Sequence, residues 1–340
     1  MSSDKCILLD HGSGGLASQN LVKDIFLALL GNPILNLLED SAELNIPSGH
    51  VAFTTDTYVV DPLFFPGGDI GSLAVHGTVN DLSMKGATPL FLTVGLVLEE
   101  GLSISLLKKI VESMAKAASA SGIKIVAGDT KVVPRGKADK IFINTSGIGV
   151  LPCNYSLGAR HIVAGDKVIV SGTVGDHGVT ILTQREGLAI DSDLKSDTQP
   201  LTGLVSSMLD VAGDKIHAMR DPTRGGLATC ICEMAEAASV TVELEEEAIP
   251  VRQDVESACE ILGLDPLYLA NEGKLIAFVS PDMAKDVLNV MLEQDAGRDA
   301  RIIGEVSEVS SGKSRVLLKT SVGGKRIVEP LTGEPLPRIC

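Results

Sequence analysis

The sequence predicts a two-domain α/β protein with an extended C-terminal arm, on three observations. Short β-rich apolar runs alternate with amphipathic helical patterns over most of the chain. A polar, turn-rich passage from Pro152 to Gly165 divides two such regions. The 340 residues, 44% apolar and 21% charged, suffice for about two domains with sizeable cores. The expected boundaries are 1–153, 154–318 and a flexible tail at 319–340.

In the first region 51–55, 91–98, 123–127 and 141–150 read as strands, and 19–30, 70–85 and 104–118 as helices. The last of these carries Leu106, Leu107, Ile110, Val111 and Met114 on one stripe. The second region opens with a strand at 167–170 and adds strands at 240–244, 275–279 and 301–309. Helical patterns fall at 177–185, 225–238, 255–262 and 283–292. Beyond Leu318 the periodicity disappears. Pro330, Pro335 and Pro337 then block helix and favour an extended, weakly tethered arm.

Composition narrows the function. Lys+Arg 29 against Asp+Glu 44 gives net charge −15, which repels nucleic acid and anionic membranes. Trp is absent and aromatics are 3%, so stacking platforms for single strands are not expected. Residues 1–5 lack the marks of a signal peptide, and the longest uncharged stretch, 141–159, is too polar to span a bilayer. A cytoplasmic protein is expected. The six cysteines show no C-x-x-C spacing and read as small buried residues, apart from Cys340 at the chain end.

Acidic residues recur at strand ends and tight turns: Asp40, Asp56, Asp81 and Asp129. Carboxylates at the loop mouths of an α/β domain suit Mg²⁺ shared with phosphate oxygens; any one alone reads more readily as a helix cap, and four in one domain shift the balance. His11-Gly12-Ser13-Gly14-Gly15 offers backbone N–H groups to phosphate, and Gly12, Gly14 and Ala17 also satisfy G-x-G-x-x-A. A plain turn and a dinucleotide site therefore stay open. Asp221-Pro222-Thr223-Arg224-Gly225-Gly226 combines a rigid turn, a phosphate-clamping Arg224 and close backbone approach. Asn271-Glu272-Gly273 sets a carboxylate at a strand start, where burial would make it a base. Lys131 follows Gly128-Asp129-Thr130 and acts only if it points into the same cleft. Cys340, in Pro337-Arg338-Ile339-Cys340, does not fit a prenylation box. It is either an idle end or a thiol that carries a covalent group into a distant cleft.

These segments, with Pro66 to Gly71, Gly77 to Leu82 and Gly128 to Val133, resemble the HypE family of hydrogenase maturation proteins. That family lies within the superfamily of aminoimidazole ribotide synthetase, selenophosphate synthetase and thiamine-monophosphate kinase. The likeness spans nearly the whole chain, and the terminal Pro-Arg-Ile-Cys is its distinguishing part. Selenophosphate synthetase would carry a reactive Cys or selenocysteine with a nearby lysine in the glycine segment, and no lysine follows here until Lys23.

The resemblance implies a PurM-like α/β fold. N-terminal domains pair in a homodimer to form ATP sites, and a C-terminal domain covers each. It implies Asp40, Asp56, Asp81 and Asp129 as Mg²⁺–ATP carboxylates. Asn80 and Thr130 would be neighbouring ligands, Gly12, Gly14 and Gly15 a phosphate lid, and Arg224 a phosphate contact. A HypF-like carbamoyltransferase would load Cys340, and ATP-dependent dehydration would convert the thiocarboxamide to a thiocyanate. Glu272 is then the expected base and Lys131 the group that stabilises the phosphorylated intermediate. Cyanide would pass to iron on a HypC–HypD complex. The rival readings are a small-molecule kinase or ligase of the same superfamily, a non-catalytic scaffold, and a nicotinamide oxidoreductase.

Overall fold

The structure, a computed structural model, describes residues 6–13, 15–38, 41–47, 49–151, 157–186, 193–309, 312–333 and 338–340. Gly14, Asp40 and Cys153 lie outside them.

The chain begins with α1 (Leu16–Leu21), which runs through a π-helical stretch at Val22–Leu27 into α2 (Ala28–Leu30). Next come β1 (Val51–Tyr58), the short pair β2 (Phe64–Phe65) and β3 (Gly68–Asp69), and α3 (Ile70–Met84). β4 (Thr88–Glu99), α4 (Ile104–Ala120), β5 (Lys124–Val133) and β6 (Ile141–Val150) complete a four-stranded sheet ordered β1-β6-β4-β5. β4 and β5 are parallel, so α4 is their crossover. It buries Leu107, Ile110, Val111 and Met114, the stripe legible in the sequence, and Ser103 caps it through Leu106 N at 3.2 Å. α3 differs. Its small and branched residues are buried on nearly every side, because it lies between this sheet and the second domain.

The second half contains β7 (Lys167–Val170), α5 (Asp176–Glu186), α6 (Thr202–Ala212), β8 (Ile216–Arg220), α7 (Gly226–Ala238) and β9 (Thr241–Glu245). α8 (Gln253–Leu262), β10 (Ile276–Val279), α9 (Ala284–Leu292), β11 (Arg301–Ser307), β12 (Arg315–Lys319) and β13 (Lys325–Val328) follow. The seven strands order β13-β12-β9-β11-β7-β10-β8. Val168, Val170, Ile276 and Phe278 pack with α7, while Ile169, Ala277 and Val279 pack with α6 and α9. Both faces are covered, which is why these strands read as unbroken apolar runs.

The sequence reading leaves α6, β8, β12 and β13 unassigned, although Leu204, Val205, Met208 and Ala212 carry a helical stripe. β13 corrects the expected tail. It pairs antiparallel with β12 through a turn closed by Thr320 N to Gly324 O at 2.8 Å, so residues 325–328 belong to the sheet. Nor is the chain end loosely tethered. Arg338 O accepts from Arg185 Nη2 at 2.6 Å and from Asp61 N at 3.2 Å, and Ile339 is buried in the N-terminal core. Among the described residues no helix is long and apolar enough to cross a membrane.

Candidate active site at the seam between the domains

The sheet register divides the expected site residues into two groups. Thr54 and Asp56 on β1 face α3, where the Thr54 hydroxyl donates to Asp81 Oδ2 at 2.8 Å. Asp56 pairs with Thr145, whose hydroxyl donates to Ala74 O of α3 at 2.9 Å. Asp129 pairs with Gly95, and Gly95 with Asn144, whose amide reaches the Thr57 hydroxyl at 3.0 Å on the outer face. Directly paired residues share a face, so Asp129 and Lys131 stand on the outer face and Thr130 on the inner one. Two strands separate β1 from β5, about 14 Å at ordinary strand spacing. Asp129 therefore does not stand beside Asp56 and Asp81 within one protomer. Among the described residues no ready-made group of three metal-binding side chains exists.

One more expectation changes. Asn80, anticipated beside the nucleotide, is 1% exposed and fully used. Its Nδ2 donates to Gln199 O at 3.0 Å and Glu272 O at 3.3 Å, and its Oδ1 accepts from Leu201 N at 2.8 Å. It joins the domains. Gly12 lies against β5, where an added Cβ would stand 2.8 Å from Val132, so close approach requires the glycine. Gly12 also borders a cavity of about 440 Å³ shared with Ser13, Asp129, Thr130 and Lys131. Gly15 caps α1.

The inner group is the chemically charged one. Asp221 leaves β8 and faces Asp81 and Asp56, and burial with those like charges raises its pKa to about 7. Burial, then Asp56, also raises Asp81. Arg224 Nη2 stands 3.9 Å from Asp56 Oδ1 and is 77% exposed, free to turn toward a ligand. The following glycines permit this turn: Gly225 and Gly226 have φ of +76° and +62°, and a Cβ on Gly226 would lie 2.6 Å from the Leu267 carbonyl oxygen. Asn271 ties the turn down by donating from Nδ2 to Pro222 O at 3.0 Å.

Glu272 sits behind this acidic group, 4% exposed, with Oε1 lacking a well-formed hydrogen bond. Burial first, then Asp197, Asp221 and Asp56, raise its proton affinity well above the usual carboxylate range. The Cys340 thiol is directed at the Glu272 carboxyl, and burial and Glu272 push the thiol up in turn. A terminal thiol thus rests against a buried base, beside hard oxygen donors. Asp56 and Asp81 fit a hard cation that completes its shell with phosphate oxygens, because a divalent charge would relieve their mutual repulsion.

Sequence reasoning missed the layer beneath Glu272. Asp197 accepts from the Glu272 and Gly273 amides at 3.0 and 3.2 Å, and Lys274 Nζ stands 3.4 Å from Asp197 and 3.9 Å from Asp176. Lys274 next to an apolar strand, and Asp176-His177 opening an apolar helix, were the available signals. Asp197 had none.

The AIR synthase related protein family matches twice, its N-terminal domain at residues 38–151 and its C-terminal domain at 163–317. A carbamoyl dehydratase HypE of Azotobacter vinelandii is 50% identical over 330 residues, covering 97% of this chain and 96% of its own. A crystal structure of the hydrogenase maturation protein HypE in complex with ATP is 49% identical with a TM-score of 0.94, covering 98% of this chain and 99% of its own. The HypE chain of a HypE–HypF complex is 47% identical with a TM-score of 0.80, over 92% and 99%.

Proposed function

The chain belongs to the HypE carbamoyl dehydratases among the AIR synthase related proteins, and from that premise we propose that Cys340 carries the group it dehydrates. It is an ATP-dependent carbamoyl dehydratase of hydrogenase maturation, which makes the thiocyanate that donates cyanide to the [NiFe]-hydrogenase iron. The observation that carries the assignment to Cys340 is the docking of the chain end in the cleft: Ile339 is buried in the N-terminal core with its carbonyl held by His177, and Cys340 lines one cavity with Thr57, Arg224 and Ala270, next to Glu272.

The substrate is Cys340 Sγ–C(=O)–NH₂, and an amide oxygen is a poor leaving group. Glu272 takes one N–H proton while the carbonyl oxygen bonds to the γ-phosphorus of ATP and ADP departs, leaving Sγ–C(=NH)–O–phosphate. The C–O bond then breaks, the departing phosphate carries off the second N–H proton, and Sγ–C≡N remains. Raised proton affinity suits Glu272 to the first removal, because a base must hold the proton it takes. Asp56 and Asp81 would hold Mg²⁺, which screens triphosphate charge when bound. Asp40 falls outside the described residues. Arg224, exposed beside Asp56, would clamp phosphate. Gly12, Gly14 and Gly15 form the phosphate segment in this reading.

A homodimer gives Asp129 and Lys131 their use. The outer sheet face that carries Asp129 and Lys131 also exposes Val51 and Phe53, the latter 73% exposed. Packing that face on a second copy buries the apolar residues and delivers the charged ones to a shared site. Lys131 would then stabilise the phosphorylated intermediate from across the interface. A HypF-like carbamoyltransferase loads the tail, as the HypE–HypF complex of the relatives supports, and a HypC–HypD complex accepts the cyanide.

The test is mass analysis of the C-terminal peptide after incubation with a HypF-like carbamoyltransferase, its carbamoyl donor and ATP. Carbamoylation of Cys340 followed by loss of one water is expected. Normal cyanide delivery by a Cys340→Ser variant would end the proposal.

A further inference from the structure

One buried side chain of the second domain reaches the tail itself. His177, in the first turn of α5, is 0% exposed and packs edge-on against Phe65, with ring centroids 5.6 Å apart. Its Nε2 lies 2.7 Å from Ile339 O and its Nδ1 2.8 Å from Ser196 Oγ. A carbonyl can only accept, so Nε2 bears a proton, and burial disfavours a second one, which leaves Nδ1 to accept from the Ser196 hydroxyl. Ser196 Oγ in turn accepts from Thr198 N at 3.2 Å, which fixes that hydroxyl. The imidazole is thus held neutral, with its one donor aimed at the carbonyl next to Cys340.

The adjacent residue holds the base. Asp197 accepts from the amides of Glu272 and Gly273, so the Ser196–Asp197 pair ties the holder of the tail to the holder of Glu272. The nearest other main-chain bonds to the tail, from Arg185 and Asp61, end on the Arg338 carbonyl, one residue further from the thiol, and those with Tyr268 and Thr229 lie back at Glu329 and Leu331. His177 alone bonds the final peptide unit among the described contacts.

We propose that His177 is a positioning residue for dehydration: its bond to the Ile339 carbonyl sets the register of the Cys340 side chain against Glu272. This rests on the reading of Cys340 as carrier. The bond exists only while the tail is docked, so His177 serves the dehydration step and not the loading of the thiol by a partner enzyme.

The full-length protein and its His177→Ala and His177→Gln variants provide the test. The first readout is single-turnover water loss from carbamoylated Cys340, and the second is iodoacetamide labelling of each cysteine, resolved by peptide mass. Loss of one well-placed neutral hydrogen bond predicts about tenfold slower water loss in His177→Ala, with the KM for ATP and the carbamoylation rate unchanged. Cys340 should label about tenfold faster, while buried Cys230, Cys232 and Cys259 keep their wild-type rates. Gln, which retains a donor, should recover part of both effects. Wild-type water loss and labelling in His177→Ala would overturn the proposal. So would faster labelling of all four cysteines, which would make His177 a core residue only. If the wild-type protein shows no water loss, the carrier reading fails instead. The labelling contrast needs neither ATP nor donor, and still decides the clamp.

Discussion

Glu272 and Asp176 show burial turning carboxylates to different ends. Glu272 is surrounded by other acids and has an idle oxygen, so it wants a proton and can take one from the carbamoyl nitrogen. Glu272→Gln should slow dehydration by about 10²- to 10⁴-fold, with ATP binding retained in equilibrium titration. In the wild type the rate should climb with pH above the ordinary carboxylate range, as Glu272 loses its proton, and the glutamine variant should flatten that limb. Asp176 lies off the reaction path, and burial raises its pKa from 3.8 to about 6 despite Lys274. A raised folded-state value means that the folded chain binds more protons between about pH 4 and 6, so this contribution is complete at low pH and lost as pH rises. Asp176→Asn should therefore gain stability over wild type across that window, reaching about 1–3 kcal/mol at pH 8 and vanishing near pH 3, by urea denaturation.

Among the elements, α3 has the most demanding sequence. Gly71 packs on α4, where a Cβ would meet Ile110 O at 2.4 Å, and Asn80 bonds three backbone groups of the other domain. Asn80→Ala would strand the Leu201 N–H and two carbonyls in a dry seam, costing about 2–3 kcal/mol by denaturant unfolding, with Asn80→Asp recovering little. The amphipathic helices and alternating strands were legible because their periods report one buried face. β6 was readable to both ends, and α4 from its first residue to within two of its last. β13 was not, since its pattern of charged and apolar residues is that of a sheet rim and its partner lies across a turn of glycines. In the site, the acid-bearing turns and Glu272 stood out as motifs. Asp197 reaches Glu272 across 75 residues, and no local pattern records such a contact. The opposite facing of Asp129 and Thr130 was present in the strand period, but only the pairing with β4 showed which side was which.

For the whole molecule, the sheet divides the machinery between its faces, and the dimer reading unites it. Mixing two inactive proteins tests this. Lys131→Ala keeps the tail and Cys340→Ser keeps the lysine, so exchanged dimers should recover about a quarter of wild-type dehydration if sites are shared between copies. Phe53→Glu should yield folded monomers by light scattering, with dehydration lost.

The pairing of β13 with β12 also sets the length of a leash. With Val328 stitched into the sheet, only Glu329 to Cys340, twelve residues, can pay out, a span of about 40 Å at full stretch. Any enzyme that loads the thiol must bring its catalytic pocket inside that radius of the sheet's rim. The protein decides by tether length, before any surface chemistry, how closely its visitors must berth.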